Sequence, residues 1–245
     1  MTKKKDRYIF NFLMLLLLAV MVVPFMASCG KTTDGTVNGF NSQLVVANLS
    51  PDVWPVDVYA NSVIQNGTTP YRYPTVSSYF YLNTVGYKLQ VRSDTGTKAV
   101  LITGKGLPLN TDSVPNINSK YTLFITGIVA DHTLSYVFVV DTSTLPAVGK
   151  GKIRFINASP RSGAFDVYAN STIAFKNIAL DSCTKFVEVP AGDYNFQIYA
   201  NGDLSTVLNT FRQTVGDGKL YTVYTYGIVG RTDSAAFNSG VITNK

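Results

Sequence analysis

A chain of 245 residues that is 46% hydrophobic and 15% charged can bury one or two full-sized cores, which excludes a disordered protein. One His, one Glu and two Cys leave no material for multi-histidine metal centres, paired glutamates or a disulfide scaffold. Fifteen Tyr, 14 Phe, 19 Gly and 10 Pro instead favour β-structure with frequent turns.

At the N-terminus Lys3, Lys4, Lys5 and Arg7 precede an apolar run from Phe12 to Val23, an export signal. That run falls short of the roughly 18 to 20 residues needed to span a bilayer. Met26-Ala27-Ser28-Cys29 resembles a bacterial lipobox. The resemblance implies removal of residues 1–28 and lipidation of Cys29. Diacylglycerol plus an N-acyl chain, at about 0.8 kcal/mol per buried CH₂, would make attachment to the membrane permanent. The alternative is an uncleaved apolar helix with Cys29 as an ordinary thiol.

Residues 1–28 carry +3 of the net +6, so the mature chain keeps +3. No basic run follows Arg7, and nucleic acid is excluded as a partner. Residues 29–42, rich in Gly and Thr, read as a flexible tether, similar to those of outer-membrane surface lipoproteins of Bacteroidota.

Beyond the tether the chain repeats itself. Asn48–Ser62 (NLSPDVWPVDVYANS) aligns without a gap to Asn157–Ser171 (NASPRSGAFDVYANS), with nine of fifteen positions identical where roughly one is expected by chance. A second block, YTLFITGIV from Tyr121, returns as YTVYTYGIV from Tyr221. The copies span 43–141 and 151–245, joined by a linker at 142–150. Each has the size of an independent domain, and so short a linker brings them into contact.

Period-two alternation over Lys152–Asn157, Phe186–Val189 and Tyr194–Tyr199 predicts half-buried strands. Asn66-Gly67, Pro190-Ala191-Gly192-Asp193, Asn201-Gly202 and Asp217-Gly218 supply hairpin turns. The expected fold is all-β: two tandem antiparallel β-sandwiches, immunoglobulin-like in the broad sense.

The segments Asn157-Ala158-Ser159-Pro160, Phe165-Asp166-Val167-Tyr168-Ala169-Asn170 and Pro190-Ala191-Gly192-Asp193-Tyr194 resemble the domain of unknown function 4397 family. The first copy keeps Ser50-Pro51 and Val56-Asp57-Val58-Tyr59 but has Thr84-Val85-Gly86 in place of Pro190-Ala191-Gly192. The resemblance implies secreted or surface-anchored bacterial β-domains without an established activity.

Among residues able to carry chemistry, the repeated Asp57 and Asp166 are read as structural carboxylates that accept N–H groups of the Ser-Pro turns. His132 lies between two strands with no GxSxG nucleophile, and Cys183 sits among Leu180, Phe186 and Val187 as a small hydrophobe. No catalytic site, cofactor or metal site is expected; no DxDxDG calcium loop occurs. Asp112-Ser113-Val114 and Asp233-Ser234-Ala235 are similar to a three-residue O-glycosylation signal of Bacteroidota.

Trp54 and Tyr71-Arg72-Tyr73 have no aromatic counterpart in the second copy and are the candidate ligand-binding residues. Packing at the domain junction is the competing role, decided by exposure and coplanarity. The expected function is a non-catalytic surface binding or adhesion module for a glycan or surface protein. The alternative is a glycan-binding accessory lipoprotein of an outer-membrane uptake system. The unmatched aromatics assign recognition to the N-terminal copy.

Overall fold

Short apolar segments become strands wherever a Gly or Asn turn releases them. The computed structural model describes residues 42–60, 63–82, 89–93, 103–106 and 119–245. The leader, Cys29 and most of the tether lie outside the described residues, as do Thr84-Val85-Gly86 and Asp112-Ser113-Val114. The first copy supplies β1 (Gln43–Asn48), β2 (Val56–Ala60), β3 (Val63–Ile64), β4 (Phe80–Tyr81), β5 (Leu89–Ser93), β6 (Thr103–Gly106), β7 (Lys120–Thr126) and β8 (Ser135–Val140). The second supplies β9 (Lys150–Asn157), β10 (Phe165–Ala169), β11 (Thr172–Ile178), β12 (Ser182–Cys183), β13 (Val187–Pro190), β14 (Gly192–Ala200), β15 (Val207–Val215), β16 (Leu220–Tyr226) and β17 (Asn238–Thr243). No helix occurs among the described residues.

Each copy is a β-sandwich. In the second, one sheet has the order β12-β9-β16-β17, with β13 also on β9, and the other β11-β10-β14-β15. The first copy repeats this with β4-β1-β7-β8-β6 and β3-β2-β5. The architecture is the expected all-β pair of sandwiches, and its strand order refines the immunoglobulin comparison. The opening strand pairs in parallel with a late one, β1 with β7 and β9 with β16, while the second strand lies between the third and a middle one. An immunoglobulin domain instead groups strands A, B, E and D.

The parallel pairs explain how the copies are joined. A parallel pair is stable when both its faces are covered. Leu44 and Val46 of β1, with Tyr121, Leu123 and Ile125 of β7, fill the first sandwich. Ile153 and Phe155 of β9, with Tyr221 and Val223 of β16, fill the second. The alternate residues do not face water. Val45, Ala47, Leu49, Phe124 and Val137 of the first copy meet Ile156, Ala158, Tyr224 and Ile242 of the second in a third core. The layers therefore run sheet, core, sheet, core, sheet, core, sheet. The two sandwiches thus touch, and Phe40–Lys245 forms one compact unit.

The predicted half-buried strand at Lys152–Asn157 differs for the same reason: Arg154, the polar member of the alternation, is 4% exposed. It forms an ion pair with the buried Asp141 just after β8. Its Nε donates to Thr222 Oγ1 at 2.9 Å and its Nη1 to the Val140 carbonyl at 2.7 Å. The other Asp141 oxygen accepts Thr122 Oγ1 at 2.7 Å and the Tyr79 hydroxyl at 2.6 Å. Asn244 Nδ2 donates in turn to Tyr79 at 2.9 Å.

A buried ion pair is worth little net against apolar residues of the same volume, whereas each fully buried large side chain contributes about 1.5–3 kcal/mol. Phe124, Leu49 and Ile156 therefore hold the copies together, and Arg154 and Asp141 fix their register. Removing one partner leaves a buried charge: Asp141→Ala or Arg154→Met alone is expected to cost about 3–5 kcal/mol in urea unfolding. The double variant Asp141→Leu/Arg154→Met should recover most of that loss, and a double variant no more stable than either single would contradict this.

Candidate functional site

The two Ser-Pro loops and two later turns, 127–133 and 227–236, connect through hydrogen bonds and ion pairs at the same ends of β1, β7, β9 and β16. Each Ser-Pro loop is braced by the Asn that ends the preceding strand. Asn48 Oδ1 accepts Ser50 N–H at 3.3 Å, and its Nδ2 donates to the Tyr71 carbonyl at 3.0 Å. Asn157 Oδ1 accepts Ser159 N–H at 3.1 Å, and its Nδ2 reaches the carbonyls of Gly163 and Ile178. This is the Asx-turn chemistry that a side-chain amide offers a free backbone. These asparagines were not singled out from the sequence, although both open the repeated block.

The later turns repeat as well. Gly127 and Gly227 lie at φ of 78° and 73°, and a Cβ there would stand 2.0 Å from the Thr133 carbonyl oxygen or 2.1 Å from that of Ala236. Only glycine fits. The repeated Gly-Ile-Val is thus a chain reversal, and His132 is an exposed turn residue at φ 57°.

The loops' unlike charges meet on one turn. Asp52 accepts the Val129 and Ala130 N–H groups at 2.8 and 2.9 Å. Arg161, its counterpart in the second copy, crosses to Asp131 with two bonds of 2.6 and 2.7 Å. Those bonds raise the Arg161 guanidinium and hold the Asp131 carboxyl below its usual range. Thr126 Oγ1 donates to Asp181 across the copies at 2.6 Å.

The aromatic candidates divide between solvent, core and junction. Trp54 is 67% exposed. Its counterpart Gly163 has open space where a side chain would stand, so the fold requires nothing there. Tyr71 is half-buried, packs against the first core and stacks on Phe80 with ring centroids 6.5 Å apart. Burial and then nearby Asp57 raise its pKa against a hydrogen bond with Ser77. Tyr73 meets Tyr226 of the second copy edge to face at 6.2 Å, and its hydroxyl is buried with no hydrogen-bond partner among the described residues. Burial, Tyr226 and Asp233 push that hydroxyl up to about 12. Arg72 is exposed. Trp54 and Arg72 therefore face solvent, while Tyr71 and Tyr73 take the competing packing role.

Asp57 and Asp166 accept hydrogen bonds from turns other than the Ser-Pro loops. Asp57 accepts Asn66 Nδ2 at 2.7 Å. Asp166 accepts Asn177 N–H at 2.7 Å, Asn201 Nδ2 at 2.9 Å and Gly202 N–H at 3.1 Å. Burial pushes its pKa up, and the three hydrogen bonds outweigh that and hold it below the ordinary value. Cys183 is half-buried against the third core, and burial raises its thiol.

The description "domain of unknown function (DUF4397)" fits residues 42–168 and, in a second overlapping match, 151–244. The chain belongs to the DUF4397 family. The DUF4397 unit therefore occurs twice, as the internal repeat requires. No curated protein matches the sequence. Among solved structures, this DUF4397 chain is similar to a "putative cell adhesion protein" from Bacteroides eggerthii DSM 20697. The two share 12% identity with a TM-score of 0.20, over 84% of this chain and 96% of the other.

Two outcomes follow for the DUF4397 copies. Tyr71→Ala and Tyr73→Ala should each cost about 2 kcal/mol or more in thermal unfolding, whereas Trp54→Ala should leave the melting temperature nearly unchanged. Because the Asp166 pKa is depressed on folding, its contribution is complete above about pH 4 and is lost as pH falls through the folded value. The stability gap between the wild type and Asp166→Asn should therefore close below about pH 4; a gap independent of pH would contradict the assignment.

Proposed function

We propose that this protein is a cell-envelope lipoprotein, anchored through Cys29, whose duplicated DUF4397 unit is a non-catalytic binding or adhesion module for a glycan or surface protein. The observation that carries the reading is Trp54. A large apolar ring is held two-thirds exposed in a loop whose neighbouring Asp52 ties it to the 127–133 turn by two hydrogen bonds. Such a side chain contributes little to folding, and its rigid support lowers the entropy lost on binding. Exposed Arg72 lies in the segment that pairs with β2, Tyr71 bridging Val56. The lipobox supports attachment to the membrane, and the Gly- and Thr-rich tether supports display away from it.

Globomycin is expected to accumulate a precursor that retains residues 1–28; normal maturation under the drug would remove the lipid anchor from the account. Protease treatment of intact cells is expected to shave the protein, and resistance that ends only on lysis would place it on an inner face. Cells bearing Trp54→Ala should attach several-fold less to glycoprotein-coated plates at equal surface expression, and equal attachment would contradict the role of the loop.

A further inference from the structure

The outer sheet of the second copy carries a different surface. Along β14, Tyr194, Phe196 and Ile198 turn into the core, so Asp193, Asn195, Gln197 and Tyr199 turn out. These four span six residue steps, roughly 20 Å. Arg212 of β15 stands opposite Asn195, and Tyr168 of β10 opposite Gln197. The Tyr168 and Tyr199 rings meet edge to face with centroids 5.5 Å apart and remain partly exposed. At the far end of the row an open cleft of about 430 Å³ is lined by Asp193, Asn195 and Arg212, within the size range of small-ligand sites.

The first copy has the same frame with this surface covered. Tyr59 stands opposite Gln90, as Tyr168 does opposite Gln197. Arg92 occupies the position of Tyr199. Its guanidinium carbon lies 4.4 Å from the Tyr59 ring centroid, and its Nη2 donates to Gln90 Oε1 at 2.6 Å. In the second copy Tyr199 leaves the Tyr168 ring and the Gln197 amide uncapped by any cation among the described residues.

We propose that the row from Asp193 to Tyr199 is a binding track for a neutral oligosaccharide chain. The inference rests on the binding-module reading and gives it a ligand class at a surface separate from the Trp54 loop. Sugar hydroxyls both donate and accept hydrogen bonds. The row offers a carboxylate that accepts, a guanidinium that donates, and two amides that do both. Asp193 and Arg212 cancel in charge, so the cleft matches a neutral polyhydroxyl chain rather than a polyanion. The tyrosine rings supply apolar faces for the C–H side of a pyranose ring. The extended row suits several consecutive ring units.

The test is a glycan array of neutral gluco-, manno-, xylo- and galacto-oligosaccharides, alongside uronate-containing chains, probed with the lipoprotein purified in detergent. Binding to at least one neutral chain is expected. It should weaken more than tenfold in Tyr199→Ala, Gln197→Ala and Arg212→Ala, and persist in Tyr199→Phe and in the linker control Val148→Ser. Arg212 is exposed on an edge strand, so its variant reports on binding even if Tyr199→Ala fails to fold. No binding, binding to uronate chains alone, or binding indifferent to Arg212→Ala and Gln197→Ala would overturn the track. Binding lost in Trp54→Ala but kept in Gln197→Ala would also overturn it while leaving the binding-module reading in place.

Discussion

Four central strands, β1, β7, β9 and β16, are buried on both faces, and the rest of the molecule follows from that constraint. A strand covered on one side by its own sandwich and on the other by its duplicate cannot expose alternate residues to water. Its polar members must find partners inside the protein. Thr122, Thr222, Arg154 and Asp141 do so in one network, and Asn157 accepts Thr225 Oγ1 in another. Because such groups are satisfied in a single register only, the polar contacts specify the fit, and the apolar third core supplies its strength.

Much of this was legible in the sequence. The duplication was plain in the Asn48–Ser62 and Asn157–Ser171 blocks, and turns were plain in Asn66-Gly67, Asn201-Gly202 and Asp217-Gly218, whose glycines all have positive φ; of these only Asn201-Gly202 joins two paired strands, β14 and β15. What alternation could not reveal was the environment of the second face. Lys152-Ile153-Arg154-Phe155 reads the same whether Arg154 meets solvent or another sheet, since periodicity reports sidedness and not what lies beyond. The run Tyr121-Thr122-Leu123-Phe124-Ile125-Thr126 held a clue, because its second face carries Phe124 between two threonines and no charge. For Tyr73 the sequence offered the domain junction as a competing role but could not name the partner, Tyr226 of the other copy.

Duplication also explains the asymmetry between copies. Asp52 and Arg161 occupy equivalent loop positions with opposite charge, and both converge on the 127–133 turn of the first copy. Their difference is a property of the junction, whose two sides face each other and cannot both carry the same charge. Arg92 and Tyr199 differ in the same manner on the outer sheets, one covering its tyrosine neighbour and the other leaving it open. Once two copies share a core, loops and outer faces are free to diverge while Asn48, Asn157, Gly127 and Gly227 are held by the backbone. The proposed track would add a surface on the second copy to the recognition that the unmatched aromatics assign to the N-terminal copy.

The shared third core should make the two copies fold as one cooperative body. Hydrogen exchange of the chain in increasing urea, followed separately in β7 and β16, tests it most directly. Amides of Tyr121–Thr126 and Tyr221–Tyr226 should merge into one global opening with a common midpoint and a common urea dependence. Two separate isotherms, with one copy protected after the other has opened, would contradict it.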